Sequence, residues 1–268
     1  MDVNISFADG AIAAAIADTG IGRLTVNRPG KRNALTGAMW RAVPEAIDWL
    51  AIRKNARVVI IEGAGGQDFS AGADIGEFST LRKDDETARR YEAANSAAFA
   101  AIRNCPVPVI AAVRGICFGG GFGLAAACDI RLADDTARFA IPAARLGLAY
   151  PPDAVQDLVR ALGDQQARLA LFSALEMSAD QALNCGCIAK LCSADQLAAE
   201  VLAIATAIAV AAPLSVRASK AAIAAVHSGS SQDHDQAAAL AAFTFDSQDY
   251  AEGRSAFMDK RKAVFNGK

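Results

Sequence analysis

Histidine is almost absent from this 268-residue chain, His227 and His234 being the only two. Both fall in "HSGSSQDHD", a polar stretch read as a solvated loop between helices. A second cysteine pair to complete a four-ligand zinc site is also missing near "CGCIAKLC" (Cys185 to Cys192). No bound metal is therefore expected. Neither sign of charge dominates: 27 Lys and Arg face 29 Asp and Glu, a formal net charge of −2. That balance excludes the basic footprint of a nucleic-acid-binding surface. No run reaches the roughly 18 to 20 apolar residues a membrane helix needs. Ala198 to Pro213 comes nearest, and Glu200 and Thr206 interrupt it. "MDVNISFADG" lacks the basic start and apolar centre of a secretory signal, so a cytoplasmic protein is expected. The six cysteines fit that compartment, where thiols stay reduced, and Cys185, Cys187 and Cys192 read as small apolar residues around a short strand, "CIAKLC". Low-complexity linkers and clear internal repeats are missing too.

What is present is a strand-and-helix alternation followed by a run of helices. "AIAAAIAD" and "IGRLTVN" predict a hairpin around Thr19-Gly20. Apolar spacing predicts a helix from Thr36 to Arg53 with Thr36 as its N-cap. "RVVIIEG" and "PVPVIAAVRG" are buried strands, separated by a small-residue loop and a polar helix from about Lys83 to Asn104. "IRLAD" and "ARFAI" are two further strands, and from Val155 onward the pattern is mostly helical. The expected architecture is an α/β core with a helical appendix.

Two junctions stand out chemically. "GGGFGLAAACD" (Gly119 to Asp129) gives up three consecutive side chains where a buried strand runs into a helix. At such a point the first helical N–H groups have no internal partner and carry the positive end of the helix dipole. Bare backbone there suits a phosphate or the oxygen of a polarised carbonyl; tight helix-strand packing is the plainer use of the same glycines. Neither GxxxxGK[ST] nor GxGxxG is matched, because the sixth position is Leu124. "FSAGADIGEF" (Phe69 to Phe78) is a second small-residue junction after a buried strand, opening a helix at Asp74. Each junction could offer one N–H to a single oxyanion.

"FSAGADI", "PVIAAVRGICFGGGFGLAAACDIRLA" and "SQDYAEGRSAFMDKRKAVF", in this order over nearly the whole chain, resemble the crotonase (enoyl-CoA hydratase/isomerase) superfamily. The resemblance implies a ββα spiral core over residues 1–194 that binds acyl-CoA, and a helical trimerisation region over 195–268. A homotrimer or a dimer of trimers follows, with a coenzyme A thioester as substrate and no separate cofactor. The two oxyanion N–H groups fall on Ala73 and Gly120. The CoA-binding stretch falls on Ala73, Asp74, Ile75 and Gly76, without the lysine common at the last position. "KRNAL" places Lys31 and Arg32 where they could meet the CoA phosphates, or form a solvated basic turn. Phe257 and Lys260 match positions that reach the nucleotide bound by a neighbouring subunit.

The hydratases of that family add water with two glutamates, and here the matching residues are Gly123 and Ala143. Neither moves a proton, and each positioned acid or base is worth about 10² to 10⁴ in rate. A decarboxylase- or isomerase-type lyase is thus expected ahead of a hydratase. The alternatives are a hydratase or isomerase with a displaced acid-base residue, or a silent thioester-binding protein. "ARLGLAYPPD" offers Tyr150, which could orient a substrate carboxylate, protonate an enolate or simply pack at a turn. Asp153 is a second candidate acid-base group, or the N-cap of the helix that follows. A glutamate restored at Gly123 is expected to suit the backbone, glycine being a poor helix former.

Overall fold

Backbone pairing in the computed structural model, which describes residues 3–268, sorts ten short strands into two sheets. They are β1 (Val3–Phe7), β2 (Ile12–Ile16), β3 (Ile21–Val26), β4 (Val58–Gly63), β5 (Val109–Val113), β6 (Ile116–Phe118), β7 (Ile130–Asp134), β8 (Arg138–Ala140), β9 (Met177–Ser178) and β10 (Lys190–Cys192). Seven form one sheet in the order β1-β2-β3-β4-β5-β7-β10, and β6-β8-β9 form the other. The expected hairpin is β2-β3, antiparallel from Ile12↔Val26 to Ile16↔Gly22. From β3 onward the large sheet is parallel. β1 was not anticipated: it pairs antiparallel with β2 but is largely exposed, so its sequence carries no burial alternation. The strand expected at "CIAKLC" shortens to β10.

Strands of the parallel region are buried on both faces, which is why they read as continuous apolar runs. Along β4 the side chains alternate between two cores. Val59 and Ile61 join the main core, while Val58 and Ile60 meet Leu197, Val201, Ala205 and Ala209.

The helices, in chain order, are α1 (Gly37–Asp48), α2 (Phe78–Leu81), α3 (Asp85–Arg103), α4 (Gly120–Ala127), α5 (Pro152–Leu162), α6 (Asp164–Ser173), α7 (Ala179–Asn184), α8 (Leu197–Val210), α9 (Pro213–Ser228), α10 (Ser231–Phe243) and α11 (Gln248–Met258). Thr36 caps α1 as expected, its hydroxyl accepting from the Met39 N–H at 3.3 Å, and a π-helical turn, Trp49–Arg53, extends the helix to the expected end. Asp84 caps α3 through the Thr87 N–H at 2.9 Å. The helix expected at Asp74 is only a 3-10 turn, Ile75–Glu77, followed by the four residues of α2. "HSGSSQDHD" is not a loop: His227 lies in α9, His234 in α10, and Gly229 and Ser230 alone connect them. Its polar residues are the exposed start of a helix, with the Ser230 hydroxyl accepting from the Asp233 N–H. α8 is the helix that covers the second face of the large sheet. Arg57 ties the chain's end to this region, donating to the carbonyls of Ala209 and Phe265 at 2.8 and 2.6 Å. Among the described residues no single helix is long and apolar enough to cross a membrane.

Candidate active site

The segment from Phe69 to Asp74 threads between Leu35 and β6. Ser70 bridges to Cys117, and Ala73 bridges to Leu35. The Leu35 N–H donates to the Gly72 carbonyl at 2.7 Å, and the Asp74 N–H donates to the Leu35 carbonyl at 2.8 Å. In a parallel bridge of this kind the middle residue, Ala73, turns its own N–H away from Leu35. Among the described residues that N–H has no backbone partner, and neither does the N–H of Gly120. The two are neighbours: a Cβ built on Gly120 would stand 3.8 Å from the Ala73 nitrogen.

The glycines that make this approach possible do different things. Gly72 sits at φ +89°, and a Cβ there would lie 2.6 Å from the Phe118 carbonyl oxygen and 3.0 Å from the Gly120 nitrogen. Gly119 precedes α4 at φ 50°, ψ −122°, a conformation other residues avoid. Gly120 lies against the Trp40 ring, whose edge a Cβ would meet at 2.8 Å, and Gly121 against the Ser70 carbonyl at 2.5 Å. The glycines pack two backbone segments together, and that packing leaves two N–H groups without a backbone partner.

These N–H groups open onto a cavity of about 100 Å³, lined by Ala73, Ile75 and Phe78 on one side and Gly120, Ala143 and Tyr150 on another. Arg82, Glu92, Asn95 and Phe99 form a further wall. Those four escaped the sequence reading. Glu92, Asn95 and Phe99 stand at i, i+3 and i+7 of α3, a helical stripe visible in the sequence. The same helix offers other stripes, and only packing selects this one.

Tyr150 donates to the Gly119 carbonyl at 2.7 Å. Burial, then the nearby Glu92 charge, pushes its phenol far above the ordinary tyrosine range, so it remains a donor rather than a base. Asp153 does not cap α5, where Pro151 is the N-cap and no side chain makes the capping bond. Its carboxylate instead accepts from Ser96 at 3.3 Å, lies 3.8 Å from Arg103, and is not part of the cavity wall. The space at Gly123 is taken: a Cβ there would meet Phe99 Cζ at 2.5 Å and the Tyr150 hydroxyl at 2.8 Å. Gly123 lies inside α4, so its backbone would accept another residue as expected, but Phe99 and Tyr150 hold the space a glutamate would need, which helix propensity ignores.

Asp74 is held by Arg28 at 2.9 Å and accepts from the Gly76 N–H at 3.0 Å. The Arg28 hydrogen bond is the main reason its carboxyl stays below the usual aspartate range, and Lys31 adds to the effect. Lys31 and Arg32 are exposed on the same basic loop, and the Ala71 N–H donates to the Arg32 carbonyl at 2.9 Å. Basic loop and oxyanion segment are thus one unit, locked by Asn33. That fully buried side chain donates to the carbonyls of Ala64 and Asp68 at 3.0 and 2.7 Å and accepts from the Arg28 N–H at 3.0 Å. Phe257 and Lys260 lie outside the cavity wall, Phe257 in the last turn of α11 and 84 % exposed, Lys260 in the turn just beyond it. Among the described residues no three His, Cys, Asp or Glu side chains gather as a metal site.

A family model described as enoyl-CoA hydratase/isomerase matches residues 17–268. The crotonyl-CoA hydratase of Syntrophomonas wolfei is 35 % identical over 249 residues, covering 91 % of this chain and 94 % of that protein. The human mitochondrial Delta(3,5)-Delta(2,4)-dienoyl-CoA isomerase is 34 % identical over 230 residues, covering 80 % of this chain and 67 % of that one. A crystal structure of an enoyl-CoA hydratase/carnithine racemase from Magnetospirillum magneticum superposes with a TM-score of 0.90 at 36 % identity, covering 96 % of each chain.

Proposed function

The chain belongs to the enoyl-CoA hydratase/isomerase (crotonase) family, and from that premise we propose that it stabilises the enolate of a coenzyme A thioester between the N–H groups of Ala73 and Gly120. The observation that carries this reading is the pair of adjacent N–H groups, without backbone partners, on residues that line one cavity. Two preorganised donors aimed at a developing oxyanion act in a site where water does not compete, and losing one typically costs about 10² to 10³ in rate. The bound molecule is the substrate itself, and no further cofactor takes part. Lys31 and Arg32 meet the CoA phosphates, Asp74, Ile75 and Gly76 line the path of the thiol arm, and Phe257 and Lys260 reach the nucleotide of a neighbouring subunit in a trimer or hexamer.

Within the family's range, loss of CO₂ from a malonyl-type thioester or migration of a double bond suits this cavity better than addition of water. Hydration needs one group to deprotonate water and another to protonate carbon. Gly123 and Ala143 stand where the family resemblance expects those carboxylates, and Phe99 and Tyr150 occupy the space at the first. Decarboxylation leaves the enolate directly, with Tyr150 and its Gly119 hydrogen bond closing the wall. A second reading, hydration with a displaced carboxylate, is favoured by Glu92 in the cavity wall. Turnover of malonyl-, methylmalonyl-, crotonyl- and 3-enoyl-CoA by the purified protein separates these. Release of CO₂ or double-bond migration outpacing hydration is the expected result. Rapid hydration of crotonyl-CoA would overturn the preference, and thioester binding without any turnover would identify a silent binding protein.

A further inference from the structure

The wall of the cavity contributed by α2 and α3 carries polar groups that the glycine motif does not explain. Glu92 is the one carboxylate among the described lining residues. Arg82 Nη2 lies 2.7 Å from Glu92 Oε1, and the Arg82 guanidinium sits 4.4 and 4.3 Å from the ring centres of Phe78 and Tyr91. That aromatic bracket holds the cation, and the cation holds the carboxylate. Two polar atoms of the same wall are buried without a hydrogen bond among the described residues: Asn95 Oδ1 and Arg82 Nε. Asn95 is only 6 % exposed. Buried polar groups are nearly always paired, so two unpaired ones beside a single carboxylate call for a functional explanation.

We propose that Glu92 is the catalytic residue that carries a proton to and from the α-carbon of the bound thioester, with Arg82 and Asn95 positioning its carboxyl group. This rests on the thioester reading above. In the exchange direction the Glu92 carboxylate takes the α-proton. The C–H electron pair moves into the carbonyl system, and the resulting enolate oxygen lies between the N–H groups of Ala73 and Gly120. Return of that proton to the α-carbon restores the thioester, and return to the γ-carbon of an enoyl group moves its double bond. In decarboxylation the C–C pair plays the part of the C–H pair, CO₂ departs, and protonated Glu92 delivers its proton to the α-carbon. Water then reprotonates the carboxylate.

The electrostatics suit that task. Burial raises the Glu92 carboxyl above the ordinary glutamate range, against the opposing pull of Arg82 and of a hydrogen bond from Asn95. A carboxyl tuned upward is both a better base and a proton holder nearer neutral pH. The other titratable groups that face it are Tyr91 and Tyr150, both pushed upward by burial, Tyr91 to about 12. Neither phenol titrates where Glu92 does.

The test follows deuterium incorporation at the α-carbon of butyryl-CoA in heavy water by mass spectrometry, with binding measured by calorimetry. Wild-type protein is expected to exchange, with a rate that rises with pH through a limb above the ordinary carboxylate range. Glu92→Gln should lower exchange by about 10² to 10⁴-fold, lose the limb and keep thioester binding. Undiminished exchange by a Glu92→Gln protein with a wild-type melt would overturn the role of Glu92 while leaving the thioester reading intact. Wild-type protein that binds butyryl-CoA without exchanging it would overturn the role of Glu92, and failure to bind would overturn both. Should Glu92→Gln not fold, Glu92→Asp retains the carboxylate and should keep reduced exchange with the limb, whose loss there would equally refute the assignment.

Discussion

Replacing Gly123 by alanine isolates the most consequential packing decision in the site. In an unencumbered helix the change should stabilise by roughly 0.5 to 1 kcal/mol, because alanine loses less backbone entropy. Here the new methyl would sit 2.5 Å from Phe99 Cζ, 2.8 Å from Phe99 Cε1 and 2.8 Å from the Tyr150 hydroxyl. Forcing a methyl into a packed interior typically costs about 1 to 3 kcal/mol. Moving Tyr150 aside also weakens its 2.7 Å bond to the Gly119 carbonyl, worth roughly 1 kcal/mol. The balance is a loss of about 1 to 3 kcal/mol. At roughly 2 to 4 °C per kcal/mol for a chain near this size, the thermal midpoint should fall by about 2 to 12 °C. A double-mutant cycle with Tyr150→Phe should recover part of that loss, since the hydroxyl is one of the three close contacts, and the coupling should fall at about 0.5 to 2 kcal/mol. Gly123→Glu, larger still, should leave hydration of crotonyl-CoA no faster than in the unmodified protein. A Gly123→Ala protein that melts at or above the wild-type midpoint would refute the reasoning, because helix propensity would then have outweighed the contacts.

Other outcomes follow from the same geometry. Gly120→Pro removes an oxyanion donor and should lower turnover by at least about 10²; because its ring also presses on Trp40, a melt must accompany the assay, and full activity would dismiss the Gly120 N–H as a donor. Asn33→Ala strips three buried hydrogen bonds from the loop that carries Lys31 and Arg32, so chemical denaturation should show a loss of roughly 3 kcal/mol or more. Past the sheet-covering α8, the C-terminal helices expose Ile223, Val226, Phe243, Phe245 and Met258, a set that subunit contact would cover. Light scattering at micromolar concentration should give the mass of a trimer or a multiple of three, and a monomer would contradict that assembly.

Much of the chain was legible because its signals are local. The β2-β3 hairpin, the Thr36 cap of α1, the β-branched run of β4 and the polar α3 each declare themselves within a dozen residues, through period, capping chemistry or turn residues. β1 was not legible, since its place depends on pairing with β2 rather than on burial. The polar residues around His227 and His234 resembled a loop because an exposed helix and a solvated loop share one composition. At the site, the sequence by itself determined where side chains are missing, at Gly72, at Gly119 to Gly121 and at Gly123. What stands in each gap was decided by packing between segments far apart in the chain: Trp40 beside Gly120, Ser70 beside Gly121, Phe99 and Tyr150 beside Gly123. The same holds for Glu92, one acid among several on a charged helix, until α3 turned the face bearing Glu92, Asn95 and Phe99 into the cavity. A glycine is a local fact that any reader of the chain can find. The neighbour that fills its place, and the charge that faces the vacancy, exist only once distant segments share a core.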